Sequence, residues 1–424
     1  MPRVTFDPSK LRMAVNRLGA ILQHRKSHPT EARSDELYYE LMLNYFKGIL
    51  DAVEEDKPLV AYGAFIPNEI LYAFDLVPYH PEMISTASVA MLKGYDEAFD
   101  TSRSYGLPWE LCSAHRLTLA ALMQGFLPKP KAGVVAVTLC DNVGKSEQAI
   151  CKVYESPIFF AEFPRGGFLQ QTHIDYFVQQ LEGVIEFLSQ VTGKGPDLDR
   201  LRYAIEISAK TIEIQRTIYE RGKSIPSPLL NRYINQFFLI NWLYEGLPEG
   251  LNFSKTVLED IENRQERQEL PCPEIYRLLS LCTPVNYDWK LVNWLQREKG
   301  AALVSAPFDF CWQPEAIDLS QPLITLAHKC CYASPYFRYV NGPIEPAVNM
   351  VVKEAVEFRV NGVIFWATAG CRQGNAMARV LKDALVREAT IPTLVLDMDV
   401  SDPSFASIEE MQEKIESFLE RLEL

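Results

Sequence analysis

The chain has 424 residues, of which 48% are hydrophobic and 23% charged, a composition that excludes intrinsic disorder and fits two or three globular domains. Its formal net charge is -13, with no basic stripe to offset it, so we expect no nucleic-acid partner. The first residues lack the apolar core of a signal peptide, and no apolar run reaches the roughly 18 residues of a membrane span. The sequence therefore predicts a cytoplasmic protein with no membrane partner.

The first part of the chain is predicted to begin with helices and to continue as an α/β lobe. Polar and apolar residues recur with helical spacing over long stretches of residues 1–56, which form a predicted N-terminal helical segment. Short apolar runs then alternate with helical ones, giving strands at 59–62, 134–139 and 158–162 and helices at 67–74 and 147–154. This alternation predicts a parallel sheet covered by helices at residues 57–171.

The second part of the chain repeats this organisation after a helical insert. Residues 172–277 have helical periodicity, broken by glycine and proline at 193–196 and at 225–228. A second α/β lobe is predicted at 278–424, with strands at 302–305, 363–367 and 393–396 and helices at 290–298, 348–358 and 375–387. The predicted fold class is therefore α/β, with two parallel-sheet lobes, an N-terminal helical segment and a helical insert.

Three cysteines stand at boundaries of the predicted elements. Cys112 ends the segment 108–112, Cys140 closes the apolar run 133–140, and Cys371 follows the run 362–370. Ligands of open parallel sheets collect at the carboxyl ends of the strands, so we expect Cys140 and Cys371 to face one crevice. Three thiolates are one fewer than the four of an ordinary iron–sulfur cluster, which would leave one iron free to bind substrate.

Other sequence features suggest further roles for some cysteines and exclude a nucleotide site. Cys151 and Cys272 are predicted to be small buried hydrophobes. The triplet Gly144-Lys145-Ser146 resembles the end of a phosphate-binding loop, but Leu139 replaces the first glycine of that motif, so we expect no nucleotide site. A mixed zinc site of Cys112 and His115, and a nucleophilic thiol paired with His115 or His328, remain alternatives.

A series of short motifs connects the chain to a known family. The motifs are Gly63-Ala64-Phe65-Ile66-Pro67-Asn68-Glu69-Ile70, Glu110-Leu111-Cys112, Leu139-Cys140-Asp141, Asn361-Gly362-Val363-Ile364, Gly370-Cys371-Arg372 and Ile391-Pro392-Thr393-Leu394-Val395-Leu396-Asp397. In their order and spacing, over roughly residues 56–424, the chain resembles subunits of the 2-hydroxyacyl-CoA dehydratase and benzoyl-CoA reductase family, such as the D-component of 2-hydroxyglutaryl-CoA dehydratase. The resemblance implies two flavodoxin-like lobes.

The same resemblance implies the cofactor, the partners and the chemistry. Carried over to this chain, Cys112, Cys140 and Cys371 would bind a [4Fe–4S] cluster in the cleft between the lobes, with Cys151 as the alternative to Cys140. The substrate would be an acyl-CoA that receives one low-potential electron. An ATP-hydrolysing iron–sulfur activator would supply that electron, and the chain would form a dimer with a related subunit or with itself. Dehydratase and reductase activity both remain open, as does the acyl group.

Two departures from the family pattern keep further alternatives open. Substrate-binding dehydratase subunits tend to carry a hydroxyl residue where this chain has Ala64, which favours a non-catalytic partner subunit as one alternative. The additional cysteines Cys311, Cys330 and Cys331 resemble positions of the double-cubane proteins, ATP-dependent reductases of small molecules that hold an [8Fe–9S] cluster. A binding or scaffold protein without metal is the non-enzymatic alternative.

Overall fold

The structure, a computed structural model, describes residues 4–163, 170–310, 317–333 and 342–422, and the chain divides into two compact units. The first unit comprises Met1–Thr211, Leu239–Phe253 and Glu315–Tyr332. The second unit comprises Ile212–Phe238, Ser254–Pro314 and Ala333–Leu424. The domain boundaries expected after residues 56, 171 and 277 follow the order of the chain and stay a prediction.

The first unit contains a four-stranded parallel sheet. Its strands are β1 (Leu59–Tyr62), β2 (Val77–Tyr79), β3 (Ala132–Ala136) and β4 (Ile158–Ala161), in the order β2-β1-β3-β4. Leu59 pairs with Val77 of β2, and Val60 pairs with Ala132 of β3. Every residue of β1 and β3 is buried, as expected for central strands that helices cover on both faces.

Helices surround this sheet and continue into the segments that follow it. They are α1 (Pro8–Ser27), α2 (Arg33–Glu54), a 3-10 helix (Asn68–Ala73), α3 (Pro81–Leu92), α4 (Tyr95–Ser104), α5 (Ser113–Met123), α6 (Asp141–Val153), α7 (Gln171–Thr192), α8 (Leu198–Arg221), α9 (Tyr233–Tyr244) and α10 (Pro248–Glu266). The division between the units falls inside α8, α9 and α10. Within the described ranges, no helix combines the length and the apolar character needed to cross a membrane.

The second unit contains a second four-stranded parallel sheet. Its strands are β5 (Tyr276–Leu281), β6 (Ala301–Ser305), β7 (Gly362–Thr368) and β8 (Thr393–Met398), in the order β6-β5-β7-β8. The helices that follow α10 are α11 (Lys290–Arg297), α12 (Pro307–Phe310), α13 (Pro322–His328), a π-helix (Lys329–Ala333), α14 (Ile344–Glu357), α15 (Arg372–Ala389) and α16 (Ile408–Glu420). Of these, α13 and most of the π-helix belong to the first unit.

The two sheets share one topology, which marks a site in each. In both, the first strand along the chain lies between the second and the third, and the fourth strand follows the third. This is the strand order of flavodoxin-like folds, whose ligands bind where the connections change direction, between the first and third strands. The expected sites are therefore the carboxyl ends of β1 and β3 and of β5 and β7. The predicted α/β class with two parallel-sheet lobes is confirmed.

Some predicted elements differ in extent from the observed ones. The strand predicted at 134–139 spans Ala132–Ala136, and the helix predicted at 147–154 spans Asp141–Val153. The chain leaves the sheet three residues earlier than predicted, because residues 137–140 form the connection from the buried strand to the N-terminus of α6. Cys140 consequently stands directly before the helix.

Candidate functional site

The connections of each sheet change direction between its first and third strands, and we call this place the switch point. The switch point of the first sheet lies where β1 and β3 end. Gly63 follows β1, and a Cβ at this position would overlap the Val135 side chain of β3, so glycine allows the backbone to pass this strand closely. Ala64 is buried against Val135 and Val143. Phe65 adopts a φ of 75° and packs edge-on against Trp242, with 5.1 Å between the ring centroids. The motif that begins at Gly63 therefore forms a tight, apolar turn beside β3.

Cys140 stands on the other side of this switch point, within reach of a buried histidine. It is the N-cap residue of α6 and is partly exposed. Its Sγ lies 3.7 Å from His115 Nε2, while His115 Nδ1 lies 2.8 Å from Ser146 Oγ. Ser146 Oγ also donates a hydrogen bond of 3.0 Å to the Asn142 carbonyl oxygen. When His115 Nδ1 carries a proton, Ser146 Oγ accepts a hydrogen bond from it. Ser146 on α6 thus fixes the His115 ring of α5 that faces the Cys140 sulfur.

A partly exposed acid lies beside this histidine, and a buried acid, Glu147, follows Ser146 on α6. Glu82 Oε2 lies 4.0 Å from His115 Nε2. Burial lowers the pKa of His115, an effect that the charge of Glu82 partly offsets. Burial, together with the nearby charge of Glu82, raises the pKa of Glu147 to about 8, so Glu147 is mainly protonated at neutral pH. Cys140 therefore faces a histidine whose pKa is lowered and packs against the apolar cluster of Ala64, Val135 and Val143.

Cys112 occupies the same helix turn as His115. It is the partly exposed N-cap residue of α5, and its carbonyl oxygen accepts hydrogen bonds of 3.0 Å from the backbone amides of His115 and Arg116. Arg116 Nε donates to the Leu111 carbonyl oxygen at 3.1 Å, and its guanidinium stacks over the Phe99 ring at 4.7 Å. The Glu110-Leu111-Cys112 motif is thereby held against the start of α5.

The second switch point carries two cysteines. Cys371 is the partly exposed N-cap residue of α15 and follows β7. Cys282 directly follows β5, the neighbouring strand, and is also partly exposed. A Cβ built on Gly374 in the first turn of α15 would lie 3.1 Å from Cys371 Sγ and 3.6 Å from Cys282 Sγ. Both sulfurs therefore converge on the space that this glycine leaves open.

The remaining cysteines of the described residues are buried free thiols. Cys151 is inaccessible and packs its sulfur against Gly133, and burial raises its pKa to about 12. Cys272 is also buried, which confirms the two predicted as small hydrophobes. Cys330 and Cys331 are buried in the π-helix, and burial raises the pKa of each thiol. Cys311, the third cysteine of the predicted second cluster, lies outside the described residues.

The other candidate ligands and bases occupy separate places. His328 stacks on Tyr332, with 5.3 Å between the ring centroids. Within the described part of the chain, no three side chains of histidine, cysteine, aspartate or glutamate stand together in an arrangement that would hold a metal ion. From the sequence, His115 was paired with an unnamed thiol as one alternative, and the structure brings Cys140 to this histidine.

A buried ion group holds the Gly63–Ile70 motif in place. Lys329 Nζ lies 2.5 Å from Glu69 Oε1 and 2.7 Å from Glu245 Oε1, and the Lys329 side chain is only 8% exposed. Burial lowers the pKa of Lys329, but the charges of Glu245 and Glu69 outweigh it and leave this pKa above its ordinary value. Burial raises the pKa of Glu245 to about 7 although Lys329 opposes this shift. All three residues belong to the first unit, where they connect the motif to α9 and the π-helix.

Sequence reasoning missed Cys282, Ser146 and Lys329. Cys282 had a usable signal, because it ends the apolar run Tyr276–Leu281 just as Cys140 and Cys371 follow theirs. Ser146 was considered only as part of an incomplete phosphate-binding loop, whereas its hydroxyl contacts His115. Lys329 is separated from Glu69 by 260 residues, a distance over which sequence gives no indication of pairing.

Comparisons with known proteins agree with this architecture. The profile of the 2-hydroxyglutaryl-CoA dehydratase D-component family matches residues 64–422. The alpha subunit of (R)-2-hydroxyisocaproyl-CoA dehydratase from Clostridioides difficile is 22% identical over 414 residues, which cover 94% of this chain and 97% of that protein. A subunit of benzoyl-CoA reductase from Thauera aromatica is also 22% identical, over 416 residues that cover 91% of this chain and 93% of that protein.

A further relative matches a shorter part of the chain. The alpha subunit of (R)-phenyllactyl-CoA dehydratase from Clostridium sporogenes is 20% identical over 248 residues, which cover 57% of this chain and 61% of that protein. The family profile extends from the Gly63–Ile70 motif to the end of α16 and includes the cysteines at both switch points. The chain belongs to the 2-hydroxyglutaryl-CoA dehydratase D-component family.

Proposed function

We propose that this chain is the iron–sulfur subunit of an ATP-activated, one-electron acyl-CoA dehydratase or reductase. One observation carries the proposal: Cys112, Cys140 and Cys371 are partly exposed N-cap residues of helices, whereas Cys151, the alternative ligand, is inaccessible. Membership of the family adds the enzyme class, since its full-length relatives are subunits of an acyl-CoA dehydratase and of an acyl-CoA reductase.

The chemistry of these three positions fits a [4Fe–4S] cluster. Iron–sulfur clusters are bound through cysteine thiolates, and the N-terminus of a helix stabilises a thiolate through its free amides and its dipole. Cys112, Cys140 and Cys371 precede helices of 11, 13 and 18 residues, long enough for this effect. We therefore propose Cys112 and Cys140 of the first unit and Cys371 of the second as the ligands, with Cys140 preferred to Cys151.

The side chains around the proposed ligands have separate tasks. When bound, the cluster supplies the acyl-CoA with one low-potential electron and with the iron that Cys112, Cys140 and Cys371 leave open. His115 holds a nitrogen 3.7 Å from Cys140 Sγ, and a proton on that nitrogen allows it to donate to the sulfur. Ser146 Oγ, which lies 2.8 Å from His115 Nδ1 and 3.0 Å from the Asn142 carbonyl oxygen, holds the ring in this position. The Gly63–Phe65 turn supplies an apolar wall beside the site.

The proposed partners follow from the relatives and from the chain itself. Each of the three relatives is named as a subunit of its enzyme, so we propose that this chain associates with a related subunit or with a second copy of itself. The electron would come from an ATP-hydrolysing iron–sulfur activator, which agrees with the incomplete phosphate-binding loop at Gly144–Ser146. The substrate is proposed to be an acyl-CoA, and the location to be the cytoplasm.

Metal analysis of cysteine variants tests the ligand set. Protein purified without oxygen is expected to contain about four irons per chain, as a [4Fe–4S] cluster requires. Serine in place of Cys112, Cys140 or Cys371 should remove most of the iron, since an alkoxide replaces soft thiolate poorly. Cys151→Ser and Cys272→Ser are matched controls at buried cysteines and should retain it.

Other metal contents would change the proposal in defined ways. About eight irons per chain would favour the [8Fe–9S] double cubane, although the burial of Cys330 and Cys331 does not favour their role as ligands. Zinc without iron, or folded protein without metal, would contradict an iron–sulfur subunit. Loss of iron in Cys151→Ser but not in Cys140→Ser would show that Cys151, and not Cys140, is the second ligand.

Activity decides between the two enzyme classes. The complex, mixed with its activator, ATP and a low-potential reductant, should form a 2-enoyl-CoA from a 2-hydroxyacyl-CoA if the chain is a dehydratase subunit. Reduction of benzoyl-CoA under the same conditions would assign it to the reductases instead. Turnover of a small molecule without any reaction of CoA esters would contradict both.

A further inference from the structure

A second thiol stands beside the proposed ligand of the second unit. Cys282 is the first residue after β5, and β5 is hydrogen-bonded to β7 with Leu281 opposite Phe365. Cys371 lies three residues beyond the end of β7. The two cysteines therefore lie at the carboxyl ends of the two strands that flank the switch point, where flavodoxin-like sheets bind their ligands.

The side chains of this pair point to a common space. The sulfurs of Cys371 and Cys282 lie 3.1 Å and 3.6 Å from the position that a Cβ of Gly374 would occupy. A larger residue at 374 would fill this space, whereas glycine leaves it open to both sulfurs. Gly374 also lies in the first turn of α15, and its backbone amide donates to the Cys371 sulfur.

The backbone of Cys282 is specialised in a way that suits this orientation. Its φ is 63°, in the left-handed region that residues with a Cβ rarely adopt. The conformation turns the chain sharply at the end of β5, before Pro284. Cys282 is also partly exposed, like Cys112, Cys140 and Cys371, while every other cysteine of the described residues is buried.

We infer that Cys282 is the fourth cysteine of the iron site and that its thiolate binds the iron that the other three cysteines leave open, in the absence of substrate. The inference rests on the proposed function and adds to it a protein ligand that acyl-CoA must displace. Displacement exchanges one ligand for another at the same iron, with the released thiolate taking up a proton. No change of oxidation state is involved.

Alkylation of individual cysteines tests this inference. Iron-loaded protein is treated with iodoacetamide in the absence of substrate, and each cysteine-containing peptide is quantified by mass spectrometry. We expect loss of alkylation at Cys282 relative to the iron-free protein, because a thiolate bound to iron is a poor nucleophile. Addition of (R)-2-hydroxyisocaproyl-CoA, the compound named for the Clostridioides difficile relative, should restore it.

The variant Cys282→Ala provides a readout independent of thiol reactivity. It should retain about four irons through the three remaining ligands, while the electron paramagnetic resonance spectrum of its reduced cluster changes in the substrate-free state. With substrate bound, its spectrum should coincide with that of the unmodified protein. Cys272→Ala in the same unit is the control and should leave the spectrum unchanged.

The outcomes separate this inference from the proposed function. Protein with about four irons whose Cys282 is alkylated as rapidly as in the iron-free state would overturn the inference and leave the proposed function intact. An unchanged spectrum in Cys282→Ala would do the same. Protein that never contains iron, in contrast, would overturn the inference together with the proposed function.

Discussion

The two sheets have one strand order, but their switch points carry different side chains. In the first unit, Gly63 follows β1 and Cys140 stands beyond β3, facing His115 at 3.7 Å. In the second unit, Cys282 follows β5 and Cys371 stands beyond β7, with both sulfurs turned toward Gly374. One site thus combines a thiol with a buried polar network, and the other combines two thiols with a glycine.

This difference shows what topology determines and what it leaves to the side chains. The strand order places both sites at the carboxyl ends of the first and third strands of a sheet. The side chains at these ends differ: in the first unit His115 lies beside one proposed iron ligand, Cys140, and in the second unit two cysteines lie together. We therefore expect substitutions in the first unit to change stability and electronic properties, and substitutions in the second to change how iron is held.

The largest effect should come from the buried ion group of the first unit. Lys329→Met leaves the buried carboxylate of Glu69 and the partly exposed one of Glu245 without their cation, and the loss of one partner of a buried ion pair typically costs about 3–5 kcal/mol. Thermal unfolding should show a clearly lower Tm. Lys353→Met is the control, since Lys353 is 75% exposed and its ion pair with Glu357 should contribute about 0–1 kcal/mol. Equal Tm values for both variants would show that the ion group does not stabilise the first unit.

A pH-dependent loss of stability should come from Glu147 near Cys140. Its pKa is about 8 in the folded protein, compared with an ordinary value of 4.5. The folded state therefore binds more protons in this interval, and stability falls as the pH rises from about 4.5 to about 8. Glu147→Gln keeps the shape without the ionisation, so its gain in stability over the unmodified protein should grow with pH, by at most about 1.4 kcal/mol for each pH unit in this interval.

The measurement for Glu147 is the Tm at a series of pH values for both proteins. The difference between the two curves isolates this residue from other buried acids, such as Glu245 and Glu354, whose pKa values are also raised. Glu182→Gln, at an exposed position on α7, should run parallel to the unmodified protein. Parallel curves for Glu147→Gln as well would mean that Glu147 does not carry its proton up to neutral pH.

The sequence predicted most of the fold because the central strands have a strong local signal. The strand predicted at 59–62 is observed as β1, and the helix predicted at 290–298 is observed as α11. The strand β2 was missed because it has only three residues with Pro78 in the middle, which is tolerated since β2 lies at the edge of its sheet. The segment 67–74 contains a 3-10 helix, which periodicity does not distinguish from an α-helix.

The sequence predicted individual residues of the site from their positions after apolar runs, but it did not predict which residues contact each other. Cysteines that follow apolar strands pointed to Cys140 and Cys371, and the structure places both directly before the helices that follow central strands. Contacts between elements gave no such signal. His115 and Cys140 are 25 residues apart, and Cys282 and Gly374 come together only because β5 and β7 are neighbours. The ligand set itself stays a prediction.

The polar network of the first unit should also influence the proposed cluster. His115→Leu removes the nitrogen that lies 3.7 Å from Cys140 Sγ and that donates to this sulfur when Nε2 carries a proton. Hydrogen bonds to cluster sulfurs raise the reduction potential. We expect a lower midpoint potential in a redox titration, with the iron content unchanged. His115→Gln retains an N–H donor and should restore part of the potential. A potential that does not change in either variant would limit His115 to a structural role.

The smallest change in stability should come from the second unit, at Gly374. A methyl group there would lie 3.1 Å from Cys371 Sγ and 3.6 Å from Cys282 Sγ, so Gly374→Ala must displace the Cys371 sulfur slightly and fill the space between the two. Alanine also favours the helix by about 1 kcal/mol, which offsets the crowding and keeps the Tm nearly constant. The iron content and the spectrum of the reduced cluster should nevertheless change. Gly48→Ala in α2, where a Cβ meets nothing within 4 Å, should raise the Tm slightly and leave both unchanged. If Gly374→Ala, like Gly48→Ala, leaves the iron content and the spectrum unchanged, Cys282 and Cys371 do not bind iron together. The two switch points would then not differ in the number of cysteines that bind iron.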